Sequence, residues 1–232
     1  MTGILVALDL PTVDSAVDLA RSIKDYVSGF KVGLGLLHGE SGSIERIVDL
    51  GLPVFADAKL HDIPAQVESA ARALGRRGAR WVTAHIPGGG EMLRAAVAGL
   101  AEGSDGEAGI LGVSVLTSIG EDDLADIGVR GPADTAVERL VRLAAGVPVE
   151  GIVSAVHEVS IVRRVAPGLI SVTPGIRPAG VGDHDQKRTA TVQMGIEAGS
   201  DYLVVGRAIT DSDDPVGAAA AIAEEIGAGS RV

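Results

Sequence analysis

Short apolar runs recur along the chain, and most of them are followed by a segment whose apolar residues repeat at helical spacing. Continuous apolar runs of about four to eight residues are typical of strands buried on both faces, whereas a repeat of three to four residues predicts an amphipathic helix. The runs span residues 4–9, 30–34, 54–59, 80–85, 109–115, 150–155, 169–174 and 201–206. Strand and helix alternating eight times predict an α/β fold, a single (β/α)8 TIM barrel.

The helical repeat is clear in the segments after the first and third runs. The apolar stripe after the first run extends over residues 13–27, and that after the third run over residues 67–74. Pro64 suits the first turn of this second helix, and Gly78 suits the cap at its carboxyl end. Both segments are therefore predicted to pack one face against the strands.

A doubly wound open sheet is the alternative to the barrel. Such a sheet commonly carries a G-x-G-x-x-G phosphate fingerprint directly after the first strand, whereas residues 9–14 here are DLPTVD. Gly33 and Gly35 have part of the spacing but lack the third glycine. The barrel is preferred, and one domain spanning residues 1–232 suits the length common for this fold.

Composition and charge argue against several classes of function. The net charge of −11 argues against a general nucleic-acid binder or a protein that binds anionic membranes, although a local basic cluster could still bind an anionic substrate. The chain has no cysteine, which rules out disulfides and thiolate metal sites. No apolar segment approaches the ~20 residues of a membrane helix, and the first residues lack the basic region of a signal peptide, so we expect a cytoplasmic protein.

The strongest chemical signal lies at residues 54–64, VFADAKLHDIP. Side chains two residues apart in a strand point to the same face, which predicts that Asp57 and Lys59 lie together, with Asp62 in the following loop. A surface salt bridge is the simpler interpretation. Charged groups at the end of an apolar strand are costly to bury unless they neutralise one another or perform chemistry, and the length of the pattern favours a functional site.

Polar and charged residues recur at the ends of the other predicted strands, where a barrel places its chemistry. The candidates at this rim are Asp9, Lys31, Asp57, Lys59, His85, Thr117, Ser118, Pro174, Arg177, Gly206 and Arg207. Two predicted loops, residues 117–131 and 175–188, are longer than a barrel requires. The second is rich in Gly, Pro and charge and precedes Gly206 and Arg207, which predicts a phosphate site at the ends of strands seven and eight.

In these residues and motifs, the chain resembles the orotidine 5′-monophosphate decarboxylase family. Residues 57–64, DAKLHDIP, match its D-x-K-x-x-D-I-P signature, and the resemblance covers nearly the whole chain. It includes LVALD, FKVG, HIPGGGEML, SVLTS, TPGIRP, DQKR and YLVVGRAIT. The shorter D-x-K-x-x-D pattern is also found in related sugar-phosphate decarboxylases and synthases, which are expected to use magnesium and generally lack the Ile-Pro extension.

The resemblance implies conversion of orotidine 5′-monophosphate to UMP in pyrimidine biosynthesis, with no metal ion and no cofactor. Lys59 would donate a proton to C6 of the pyrimidine, and Asp57 would lie beside the substrate carboxylate, between Lys31 and Lys59. Asp62 would enter the site of the partner subunit in a homodimer. His85 is expected to order the end of the fourth strand rather than to act in the chemistry.

The family also implies a set of substrate contacts. Asp9 and Lys31 would hold ribose hydroxyls, and Ser118, with Thr117 beside it, would contact the pyrimidine. The implied phosphate ligands are Arg177, Gln186, the Gly206 amide and Arg207. The remaining contacts are Ile63, Gln66 and Pro174. Gln66 departs from the family, which usually has threonine there, contacting ribose from the partner chain.

Two other functions remain open on the residues alone. One is a metal-dependent sugar-phosphate decarboxylase or aldolase on the same barrel. The other is a non-catalytic protein that binds a nucleotide phosphate, although the complete Lys–Asp–Lys–Asp set counts against it. No thiamine, pyridoxal or metal motif is present in the sequence. If the protein is a decarboxylase, its own charged groups must therefore stabilise the electron density left on the substrate when carbon dioxide leaves.

Overall fold

Eight parallel strands form a closed barrel in which each strand pairs with its neighbours in sequence and the last pairs with the first. The computed structural model describes residues 2–129, 131–177 and 190–229. The strands are β1 (Gly3–Ala7), β2 (Gly29–Val32), β3 (Val54–Leu60), β4 (Trp81–His85), β5 (Gly109–Val113), β6 (Gly151–Val153), β7 (Ile170–Ile176) and β8 (Tyr202–Val205). Each predicted run overlaps one strand, so the prediction of a (β/α)8 barrel is confirmed. That residues 1–232 form one domain remains a prediction.

Helices follow the strands and cover the outside of the barrel. They are α1 (Val13–Ile23), α2 (Leu34–Gly39), α3 (Ser43–Val48), α4 (Pro64–Arg76), α5 (Gly89–Gly103), α6 (Glu121–Asp126), α7 (Ala133–Ala145), α8 (Val159–Val165), α9 (Val192–Glu197), α10 (Arg207–Thr210) and α11 (Pro215–Gly229). The helix α1 begins after Thr12, whose hydroxyl accepts a hydrogen bond from the Ser15 amide. The helix α4 begins at Pro64 as predicted. None of the helices in the described ranges is long and apolar enough to cross a membrane.

The two segments predicted as long loops are partly ordered into regular structure. Residues 117–131 contain α6, whose start is capped by the Asp123 carboxylate accepting a hydrogen bond from the Gly120 amide. Gly175 and Ile176 belong to β7, and residues 178–189 lie outside the described ranges.

The apolar core has two layers. The larger one lies between the strands and the helices, and the smaller one fills the inside of the barrel. The inner layer consists of Leu5, Ala7, Phe55, Trp81, Leu111, Val113, Val153, Val172 and Val204. Strand residues alternate between these layers, which leaves the interior packed rather than hollow.

A polar cluster closes the amino end of the barrel. The Arg80 guanidinium donates two hydrogen bonds of 2.6 Å to the Glu150 carboxylate, and the Trp81 indole donates a third, of 3.0 Å. The Trp81 ring also packs against Tyr202, with ring centroids 5.1 Å apart. This closure leaves the carboxyl end of the strands as the end that is open to a ligand.

Candidate active site

A cavity of about 800 Å³ opens among the carboxyl ends of the strands. It is lined by many of the residues that the sequence placed at this rim. Those predicted site residues are Asp9, Lys31, Asp57, Lys59, Thr117, Pro174, Arg177, Gly206 and Arg207. Residues distant in sequence are thus brought to one cavity by the barrel.

The strand β3 is irregular where it enters this cavity. Ala56 lies opposite Val82 of β4, but Leu60 lies opposite Ala84, so three residues of β3 face a single residue of β4. Lys59 has a φ of +50°, in the left-handed region that non-glycine residues rarely adopt. The regular strand assumed in the sequence analysis is therefore interrupted by a bulge, and Asp57 and Lys59 meet within it.

Four charged side chains of alternating sign form a chain across the cavity, Asp9, Lys31, Asp57 and Lys59. The Lys59 ammonium donates a hydrogen bond of 2.5 Å to Asp57 Oδ1, and the Lys31 ammonium lies 3.6 Å from Asp57 Oδ2. Lys31 also donates to Asp9 Oδ1 at 3.1 Å. Each lysine therefore has a carboxylate beside it.

Asp57 is the most enclosed carboxylate of this network, with 13% of its side chain exposed. Burial by itself raises the pKa of Asp57, but the Lys59 and Lys31 ammonium groups and the hydrogen bonds from Lys59 and Thr83 outweigh it. The pKa of Asp57 is held below its ordinary value of 3.8. The carboxylate is consequently ionised at neutral pH.

Thr83 contacts this network and was not singled out in the sequence analysis. It is fully buried in β4, and its hydroxyl lies 2.9 Å from Asp57 Oδ1 and 2.9 Å from the Lys59 amide nitrogen. The only signal in the sequence is a polar residue in the middle of the apolar run 80–85.

The carboxylates of the cavity are balanced by lysine rather than grouped with one another. Asp9 and Asp57 each lie within 4 Å of the Lys31 ammonium. Among the described residues, no group of three or more His, Cys, Asp and Glu side chains is placed to hold a metal ion.

Two arginines line the cavity at the ends of β7 and β8. Arg177 directly follows β7, and Arg207 follows Gly206 at the end of β8. Guanidinium groups can donate pairs of hydrogen bonds to phosphate oxygens, so these two could hold a phosphate group. Gln186, the remaining predicted phosphate ligand, lies outside the described residues.

Four predicted site residues do not line the cavity within this single chain. Asp62, Ile63, Gln66 and Ser118 are all exposed. Ile63 is one of the exposed large apolar residues, with 63% of its surface accessible to solvent. Asp62 accepts a hydrogen bond of 2.6 Å from the Ile63 amide.

His85 is half-buried at the end of β4, and its ring centroid lies 5.4 Å from that of His61. Burial, together with the nearby His61 and Lys59, lowers the pKa of His85 below its ordinary 6.5, although Asp57 opposes this shift. The imidazole is therefore neutral at neutral pH.

Comparisons with known proteins identify the family to which the chain belongs. Residues 2–222 match the model of the Orotidine 5′-phosphate decarboxylase / HUMPS family. Orotidine 5′-phosphate decarboxylase of Anaeromyxobacter sp. (strain K) is 46% identical, with 95% of this chain and 96% of the relative covered. That of Heliobacterium modesticaldum is 40% identical, with coverage of 97% and 96%. The crystal structure of the Lactobacillus acidophilus enzyme superposes with a TM-score of 0.86 at 32% identity, covering 97% of this chain and 99% of that one. The chain therefore belongs to the Orotidine 5′-phosphate decarboxylase / HUMPS family.

Proposed function

We propose that the protein decarboxylates orotidine 5′-monophosphate to UMP in pyrimidine biosynthesis, without a metal ion or a cofactor. The observation that carries the proposal is the alternating charge network Asp9–Lys31–Asp57–Lys59, which shares one cavity with two arginines. The curated relatives quoted above carry the name of this decarboxylase. A role in pyrimidine synthesis also supports the cytoplasmic location predicted from the sequence.

In the proposed complex, the substrate spans the cavity from the arginines to the lysines. Arg177 and Arg207, together with Gln186 and the Gly206 amide, bind the 5′-phosphate. Asp9 and Lys31 hold ribose hydroxyls, and the pyrimidine lies near Thr117, Ser118 and Pro174. This placement directs C6 and its carboxylate toward Asp57 and Lys59.

The reaction breaks the bond between C6 and the carboxylate carbon. Carbon dioxide leaves, and the bonding electron pair stays on C6, where the Lys59 ammonium stabilises it and then donates its proton to form the C6–H bond. The neutral amine regains a proton from solvent. At ~4 Å and an effective dielectric near 20, two unit charges interact by roughly 4 kcal/mol, equivalent to about three powers of ten in rate if the interaction exists mainly in the transition state.

Asp57 has two functions in this proposal. Its negative charge offsets the cost of enclosing the Lys31 and Lys59 ammonium groups, which lie 3.6 and 2.5 Å from its oxygens. It also lies beside the substrate carboxylate, whose charge is lost when carbon dioxide leaves.

The exposed segment around Asp62 supports a homodimer. We propose that Asp62 and Ile63 of each subunit enter the partner's cavity and that Asp62 extends the alternation of charges beyond Lys59. Burial of the 63%-exposed Ile63 at such an interface would remove apolar surface from water. Gln66 would replace the usual threonine contact to ribose.

The test is to incubate the purified protein with orotidine 5′-monophosphate and EDTA while following the pyrimidine absorbance. We expect conversion to UMP, and a loss of about three powers of ten in kcat for Lys59→Ala. Lys24→Ala, which removes an exposed lysine in the turn between α1 and β2, at the amino end of the barrel, is the matched control and should retain activity. Near-normal turnover by Lys59→Ala would contradict its role as proton donor. Activity on a sugar phosphate with magnesium instead would assign the protein to the related barrel enzymes.

A further inference from the structure

We propose that Thr83 is a positioning residue for this reaction, because its hydroxyl ties the backbone of Lys59 to the carboxylate of Asp57. This inference rests on the proposed decarboxylase function. Thr83 is buried beneath the charge network and does not itself line the cavity, so it acts through its two partners.

The register of the sheet explains why this position is special. Between the pairs Ala56–Val82 and Leu60–Ala84, Thr83 is the single residue of β4 that faces Asp57, Ala58 and Lys59. One residue of β4 must therefore stabilise a bulge of three residues in β3. Its side chain takes part directly, because the Lys59 amide donates a hydrogen bond of 2.9 Å to Thr83 Oγ1.

The directions of the two hydrogen bonds follow from the groups involved. The Lys59 amide can only donate, so the hydroxyl oxygen of Thr83 accepts. An ionised carboxylate can only accept, so the hydroxyl proton of Thr83 is directed to Asp57 Oδ1, 2.9 Å away. The same Oδ1 accepts the hydrogen bond from the Lys59 ammonium. One hydroxyl thus fixes both the backbone from which the lysine extends and the carboxylate that its ammonium contacts.

The hydrogen bond from the Lys59 amide to Thr83 is important because the backbone of Lys59 is strained. Lys59 adopts a φ of +50°, which is unfavourable for a residue with a side chain and persists only where surrounding contacts hold it. Without the Thr83 hydroxyl, the Lys59 amide loses this acceptor and the bulge loses a contact that favours it. The ammonium would then be placed less accurately relative to C6, and misplacement of a reacting group lowers the rate of the chemical step more than it lowers binding.

The hydroxyl also favours the ionised form of Asp57. That carboxylate is faced by Lys59 on its own strand, by Lys31 on β2 with Asp9 beyond it, and by His85 farther along β4. Thr83 is the neutral donor in this set. Removing it leaves the charges in place but withdraws one hydrogen bond from the ionised state, so the pKa of Asp57 rises.

The test compares Thr83→Val, which keeps the shape of the side chain without the hydroxyl, with Thr83→Ser, which keeps the hydroxyl. For the valine variant we expect kcat to fall about 10- to 100-fold, as for the loss of a hydrogen bond to a charged group, with a smaller change in KM. The acid limb of its kcat/KM profile should move to higher pH. The serine variant should recover most of kcat and the original profile.

Thr173→Val is the matched control. Thr173 is a buried threonine of β7 whose hydroxyl bonds Ser200 at 2.7 Å, away from the charge network. This variant should lose stability while retaining kcat and the pH profile. Thr83→Cys, which has a weakly hydrogen-bonding thiol of similar size, replaces the valine variant if the latter does not fold.

A valine variant that is only less stable, with unchanged kcat and acid limb, would overturn the proposal. Failure of the proposed function is distinguishable, because the unaltered protein would then not convert orotidine 5′-monophosphate at all. In that case carbon NMR of the Asp57 carboxyl, compared between the unliganded wild type and Thr83→Val, still decides the matter. A titration at higher pH in the variant supports the positioning of Asp57 by Thr83, and an identical titration contradicts it.

Discussion

The carboxylate of Asp57 remains charged in a nearly enclosed position because its neighbours compensate for lost hydration. Two ammonium groups and a hydroxyl surround its oxygens, and both lysines in turn depend on it. Replacing either this buried carboxylate or one of its partners is costly, since the groups that remain are left unpaired. At the residue scale, the site is therefore sensitive to protonation of this one group.

Replacement of Asp57 by asparagine should make stability less dependent on pH in acid. The pKa of Asp57 is lower in the folded protein than its ordinary 3.8, so the ionised group stabilises the fold above that value. This stabilisation is lost as the pH falls through the lower, folded pKa. We expect Asp57→Asn to lower the free energy of unfolding by about 1–3 kcal/mol near neutral pH, with a difference that shrinks below pH ~4.

Urea unfolding of both proteins between pH 7 and pH 3 measures this difference. Asp18→Asn serves as control, because Asp18 forms an exposed ion pair with Arg21 and such pairs contribute little. A difference between wild type and Asp57→Asn that stays constant over the whole range would contradict the expectation.

At the scale of elements, the turn from β2 into α2 depends on Gly33. A Cβ atom at this position would collide with Asp9 Oδ1 and lie 3.2 Å from the Lys31 ammonium. A methyl group here would displace the end of the flexible Asp9 side chain, so glycine leaves room for the Asp9–Lys31 pair. Gly33 forms part of an incomplete phosphate fingerprint in the sequence, but in the structure it makes room for the Asp9–Lys31 pair.

Gly33→Ala should impair ribose binding, because the methyl group displaces the Asp9 carboxylate from Lys31. We expect KM for orotidine 5′-monophosphate to rise about tenfold, the equivalent of one hydrogen bond, with a smaller effect on kcat. Steady-state kinetics of Gly33→Ala and Gly35→Ala check this. The second variant is matched, since a Cβ at Gly35 meets nothing within 4 Å and alanine suits the helix α2. Equal KM values for the two variants would refute the steric argument.

At the scale of the whole molecule, the barrel and most of its rim could be predicted because both follow from periodicity. Alternating runs set the strand order, and the ends of strands then place Asp9, Lys31 and Arg207 around one cavity. The bulge at Lys59 could not be predicted, since it arises from how β3 pairs with β4 and has no local signal. The importance of Thr83 could not be predicted for the same reason, because its proposed function depends on the residues opposite it in β3.

Mixing two inactive variants tests the proposed assembly. In the proposed homodimer, Lys59→Ala and Asp62→Ala would damage opposite halves of each shared site. After random exchange half of the dimers are mixed, and each mixed dimer holds one intact site, so about a quarter of the activity should return. Lys59→Ala mixed with Asp57→Asn is the control, because both substitutions affect the same half and no intact site forms. Absence of recovery in the first mixture would argue for sites built from one chain.

The amino end of the barrel serves a different purpose from the carboxyl end. There Glu150 bridges Arg80 and Trp81, and Trp81 packs on Tyr202, while the proposed chemistry occupies the opposite rim. Trp81 belongs to the packed inner layer together with Phe55, which lines the cavity, whereas the Arg80–Glu150 ion pair lies outside that layer. An engineer who wants a heat-tolerant catalyst can therefore keep Trp81, randomise only the positions of that ion pair, screen for melting temperature, and expect turnover to be preserved.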